Sequence, residues 1–190
     1  MYRPFLVIIM VVLSVYTSLS VALTAPARAA ALTGFCGYDC PIMGVSWSNA
    51  KNLTVYDAFD APEWKAVLID AVAQWNQSPY VHLTIKPGQD GFVRGAIVAS
   101  DVNNDCSISL AQIMYHNSRI TSVRIPLTDG TGCPQPLSEV PYTGLLHVIC
   151  HELGHALGLG HVPVDAVSCL GPGYQVSAGN LQNLALIYGH

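Results

Sequence analysis

Residues 151–161 read His-Glu-Leu-Gly-His-Ala-Leu-Gly-Leu-Gly-His, the pattern H-E-x-x-H-x-x-G-x-x-H. On a helix, positions i and i+4 share a face, so His151 and His155 aim two imidazoles at one point. Gly158 lets the chain leave that helix, because glycine tolerates positive φ at a C-terminal cap. The turn then returns His161 to the same point as a third nitrogen. A fold that houses this string must pack one helix, stop it near Gly158 and double the next residues back. Three neutral imidazoles with a fourth position open are the ligand set of a catalytic zinc. Glu152, next to the first ligand, is placed to act as general base on a metal-activated water.

Blander readings fit less well. A helix with surface or core histidines has no reason to place three of them at ligand spacing. A structural zinc would complete four protein ligands with Cys. Cys150 is adjacent to His151 but turned about 100° around the helix. His147 lies ~6 Å back along the axis, so it reads as support rather than as a fourth ligand.

At these residues the chain resembles the metzincin metallopeptidases, and within them the matrixin branch. The family follows its third His with a tight turn that holds a Met beneath the metal. Met1, Met10, Met43 and Met114 all precede the motif here. Leu170 stands in the corresponding segment, a near volume-conserving apolar swap. Pro172-Gly173-Tyr174 then falls where matrixins carry Pro-x-Tyr, which implies that these residues wall the S1′ pocket. A second Cys reading, in which Cys36-Gly37 caps the metal as a switch, is weak because hardly any pro-segment precedes it.

The N-terminus has no charged residue between Arg3 and Arg28, and Phe5 to Leu13 is almost wholly apolar. Ala27-Arg28-Ala29 offers a small-x-small cleavage site. Residues 1–29 therefore read as a secretory signal peptide. An uncleaved anchor is the competing reading, but Ser14, Thr17, Ser18 and Ser20 dilute its second half. Residues 30–190 suffice for one catalytic domain with its own core. The formal net charge is -4, and there is no run of Lys or Arg. Nucleic acid is excluded as an expected partner on that ground, and no stable membrane association is expected. All six Cys lie beyond the leader, which argues for disulfides in an oxidising, extracellular setting but leaves their pairing open.

The rest of the chain supplies elements. Leu53–Tyr56 alternates as a strand. Asp60 reads as the N-cap of an amphipathic helix over 62–77, with Trp64, Val67, Leu68, Ala71, Val72 and Trp75 on its apolar face. Val81–Ile85, with His82 on the polar face, and Gly95–Ala99 read as strands. Asp101-Val102-Asn103-Asn104-Asp105 begins like a calcium loop. However, Cys106 stands where such a loop needs Gly, so an Asx-rich turn is the stronger reading and Ca2+ the weaker. Ser109–Tyr115 and Ile120–Leu127 form two strands around Asn117-Ser118. A Gly-, Pro- and Ser-rich loop covers 130–144, the zinc helix Leu145–Leu157, and a last helix Asn180–Tyr188.

This order, from about residue 45 to 190, resembles a whole metzincin catalytic domain. The resemblance implies an α+β fold with a twisted, mostly parallel five-stranded sheet and one antiparallel edge strand. That edge strand maps to Ser109–Tyr115, along which peptide would bind in contact with Ala111 and Ile113. On that topology the disulfides fall as Cys106–Cys133, Cys150–Cys169 and, as the remainder, Cys36–Cys40. The resulting expectation is a secreted, monomeric zinc endopeptidase acting on protein or peptide, with one catalytic Zn2+ held by His151, His155 and His161. The rival is a zinc-bearing binding or toxin-like module without proteolysis. Glu152 argues against it, since such a module has no use for a base at that position.

Overall fold

The computed structural model describes residues 41–103, 106, 110–162 and 165–190. The expected leader, Cys36, Cys40 and Ser109 lie outside them, as do Asn104 and Asp105.

β-Branched and aromatic residues alternate through Leu53–Ala58 (β1), and Pro62–Trp75 forms the helix α1. Leu83–Pro87 (β2), Ala96–Asn103 (β3), Gln112–His116 (β4) and Arg119–Thr128 (β5) follow. The helices Tyr142–Ala156 (α2) and Ala178–Tyr188 (α3) complete the set. The five strands form one sheet in the order β2-β1-β3-β5-β4. β1, β2, β3 and β5 run parallel, and β4 pairs antiparallel with β5 at the edge. This is the expected α+β, mostly parallel arrangement. Parallel strands need helical crossovers, and α1 supplies the one between β1 and β2.

The core shows why the pattern works. Trp64, Val67, Leu68, Ala71, Val72 and Trp75 are all buried on α1, as its spacing predicts. They share one cluster with Val55, Ile97, Ala99, Val123 and Ile125 of the sheet and with Leu145, Ile149 and Leu153 of α2. α1 and α2 pack directly on one another, so the helix that carries the histidines is seated on buried tryptophans.

Several boundaries differ from the sequence expectation. Asp60 is not the cap of α1; the N-cap is Ala61, with no side-chain cap. Asp101, buried in β3, does that work from the sheet: its carboxylate accepts from Asp60 N at 2.8 Å and from Ala61 N at 2.6 Å. Asp101 is thus a strand residue rather than the start of a turn. α2 begins at Tyr142, three residues earlier than expected, since Pro141 and Gly144 read as loop signals. Burial of Leu145 and Leu146 outweighs the ~1 kcal/mol that a helical Gly costs. α3 begins at Ala178 behind a capping box in which Ser177 and Asn180 exchange bonds. Asn at that last position departs from the usual Glu or Gln and hid the start. β4 is shorter than expected and begins at Gln112. Asn117 and Ser118 both take positive φ, which closes the tight β4–β5 hairpin.

Candidate metal centre

α2 brings His151 and His155 onto one face, one turn apart. The helix then ends in a complete Schellman motif around Gly158, whose φ is 85°. Leu159 N donates to Gly154 O at 3.1 Å, and Gly158 N to His155 O at 2.9 Å. A Cβ on residue 158 would collide with the Val45 carbonyl, so glycine is required there twice over. The reversal carries His161 back beside the other two.

Backbone carbonyls set the direction of the rings. His151 Nδ1 lies 2.8 Å from Cys169 O, and His155 Nδ1 lies 2.9 Å from Leu159 O. A carbonyl can only accept, so each Nδ1 carries the proton and each Nε2 presents a lone pair. His151 Nε2 stands 2.9 Å from His155 Nε2 and 3.2 Å from His161 Nε2. One ligand atom from each of the three residues falls within 4.8 Å of the others. Lone pairs that face each other at such distances repel unless a cation lies among them. The donor set therefore fits a divalent metal with an affinity for imidazole, and zinc is the common one.

Burial keeps these rings in the ligand form. It pushes the His155 pKa down to about 4, with the positive potential of His161 adding to the effect and the Leu159 carbonyl opposing it. His151 is held well below the ordinary histidine range, first by burial and then by His155. Glu152 is 4% exposed, and burial raises its pKa to about 8 against the opposing Ala111 N–H. That amide donates to Glu152 Oε2 at 2.6 Å. A carboxyl poised near neutrality can both take and release a proton.

The segment after His161 lies beneath the helix. Cys150–Cys169 is disulfide-bonded, as is Cys106–Cys133, with Cα–Cα distances of 5.9 and 5.4 Å. Leu170 is 1% exposed and lies against Gly154. A Cβ at residue 154 would sit 2.7 Å from Leu170 Cδ2 and 2.9 Å from Trp75 Cζ2, so that glycine admits the leucine under the histidines. Gly173 is buried, and its carbonyl meets the His147 ring nitrogen Nδ1, while Pro172 and Tyr174 are exposed. Ile113 is half-buried on β4, and the amide of Ala111 bonds Glu152. Sequence reading missed Gly154, whose need appears only with Leu170 in place, and Trp47 and Tyr188, discussed below.

No protein-family model matches the chain, and no curated protein does. Among solved structures it is similar to myroilysin, at 14% identity over 79% of this chain and 98% of that one, with a TM-score of 0.47. It is also similar to high choriolytic enzyme 1, a hatching enzyme zinc-protease from the medaka fish Oryzias latipes. There the identity is 13% over 70% of this chain and 66% of that one, and the TM-score is 0.34. The geometry of the three histidines stands independently of these distant likenesses.

Proposed function

We propose that this chain is a zinc endopeptidase of the metzincin type, nearest the matrixins. On this reading residues 1–29 export it, residues 30–190 form the catalytic domain, and it acts outside the cell as a monomer. The observation that carries the proposal is the convergence of three Nε2 lone pairs beside a buried carboxylate on the next residue. The disulfides support an oxidising compartment. No helix among the described residues is long and apolar enough to cross a membrane.

His151, His155 and His161 would hold the metal. Zinc, when bound, would polarise the scissile carbonyl and bring the pKa of a water ligand toward ~7. Glu152 takes the proton of the attacking water and returns it to the leaving amine. The Ala111 amide keeps that carboxylate aimed. β4 is the last strand of the sheet, so its outer edge can accept an extended peptide as an added strand. Residues two apart in an antiparallel strand present their N–H and C=O to the same edge. Since Ala111 N–H points away from β5 toward Glu152, Ile113 offers its backbone groups to substrate on that side. Pro172, Gly173 and Tyr174 border the pocket for the residue after the scissile bond, with Gly173 tied to His147.

A peptide-library digest with and without a zinc chelator tests the reading. Cleavage that stops with the chelator and returns with added zinc is the expected result. Absence of cleavage by the zinc-loaded protein, or cleavage indifferent to chelation, would overturn it.

A further inference from the structure

The Schellman motif leaves two carbonyls of the metal turn without partners inside the helix: those of Ala156 and Leu157, the residues just before Gly158. Both are taken by side chains from distant parts of the chain. Trp47 Nε1–H donates to Ala156 O at 2.8 Å in a buried bond. The Tyr188 hydroxyl donates to Leu157 O at 2.9 Å. Trp47 N in turn lies 3.3 Å from the Tyr188 oxygen, so the two caps are linked. Trp47 is 4% exposed, and burial raises the Tyr188 pKa to about 12, so its hydroxyl stays a donor.

The carbonyls of Gly158 and Leu159 are also spoken for. Gly158 O accepts from Met43 N, and Leu159 O from the His155 ring. The carbonyls from His155 to Leu159 are therefore held one by one, and two of them depend on Trp47 and Tyr188. Each bond fixes a plane on the N-terminal side of the reversal that sets how far His161 returns toward His155.

Resting on the reading of the three histidines as a metal centre, we infer that Trp47 and Tyr188 are positioning residues. They hold the turn between the second and third ligands and thereby set metal affinity. Neither touches the reacting atoms. Groups that bond a metal ligand directly typically change metal affinity roughly 10–100-fold when lost, and residues that hold the turn between ligands act at the low end of that range.

The test uses the full secreted protein as wild type, Tyr188→Phe, Trp47→Phe and, as control, Tyr142→Phe. The control removes an equivalent hydroxyl, bonded to Asp70 at 2.5 Å, from the opposite end of the same helix. Zinc affinity is read by competition with a chromophoric chelator, and the visible spectrum of the Co2+-substituted protein reports ligand geometry. Tyr188→Phe is expected to weaken zinc binding roughly tenfold and to alter the cobalt spectrum, with Tyr142→Phe unchanged in both. Wild-type affinity in Tyr188→Phe and Trp47→Phe, both folded by circular dichroism, would overturn the inference while leaving the metal centre intact. Equal weakening in Tyr142→Phe would overturn it as a mere effect of helix stability. Failure of the wild type itself to bind zinc would instead remove the metal centre on which both readings rest.

Discussion

The amide of Ala111 sits 2.6 Å from the carboxylate of Glu152, which joins the residue just before the edge strand to the residue after His151. A carboxylate held this way cannot swing with the helix alone, because its direction is fixed from the segment that leads into β4.

Glu152→Gln keeps an oxygen to accept from Ala111 but cannot take a proton. Peptidase activity should fall by about 10²–10⁴-fold, the range for loss of general base catalysis. Zinc content by elemental analysis should stay at the wild-type level. Loss of the metal together with the activity would make Glu152 a ligand and not a base.

His161→Ala should lower zinc occupancy and activity in parallel. His151 and His155 would remain oriented by Cys169 O and Leu159 O, yet two imidazoles hold zinc poorly. Equilibrium dialysis decides the matter: full occupancy in this variant would point to another third ligand.

Leu170→Ala removes a buried side chain that fills the space over Gly154, and should cost roughly 2–5 kcal/mol in denaturant unfolding. Leu170→Met, conserving volume, should change stability by less than ~1.5 kcal/mol and keep activity. A neutral Leu170→Ala would contradict the packing described beneath the histidines.

The metal-free protein should be most stable near pH 6.5. Burial lowers His151 and His155 below their ordinary 6.5, so the unfolded chain takes up more protons and stability falls as pH drops below that value. Glu152 has the opposite sign. Its folded pKa is raised to about 8 from 4.5, so the stability it contributes is present below 4.5 and is lost as pH rises to about 8. Between 4.5 and 6.5 the two histidines outweigh the one carboxyl; above 6.5 the carboxyl acts alone. Chemical denaturation across pH should therefore show an alkaline decline that disappears in Glu152→Gln. A decline that persists in that variant would assign it to another group.

Much of this was legible in the sequence because periodicity is local. The apolar face of α1, the two histidines one turn apart and the glycine that ends α2 follow from spacing alone. What was hidden depends on residues far apart. Asp101 caps α1 from another strand, and no pattern around Asp60 could reveal that its amide had been claimed elsewhere. Nothing near Trp47 or Tyr188 in sequence marks the carbonyls they meet. The need for glycine at 154 depends on Leu170, which packs beside it from 16 residues further along the chain. Leu170 itself could be placed only through the resemblance to metzincins.

The bonds that close the metal turn span unequal lengths of chain. Tyr188 reaches back 31 residues to Leu157, and Trp47 reaches forward 109 to Ala156. Helical turns form early because their contacts are local, whereas contacts of long sequence separation pay loop-closure entropy first. On the ribosome, α2 and the Schellman bonds at its end can form as soon as they emerge, but the Leu157 carbonyl waits for residue 188 to fold back. A newly synthesised chain thus passes through a stage with all three histidines present and the Tyr188 bond not yet made. The last bond of the turn is thus made by a residue that lies well beyond the three histidines it helps to arrange.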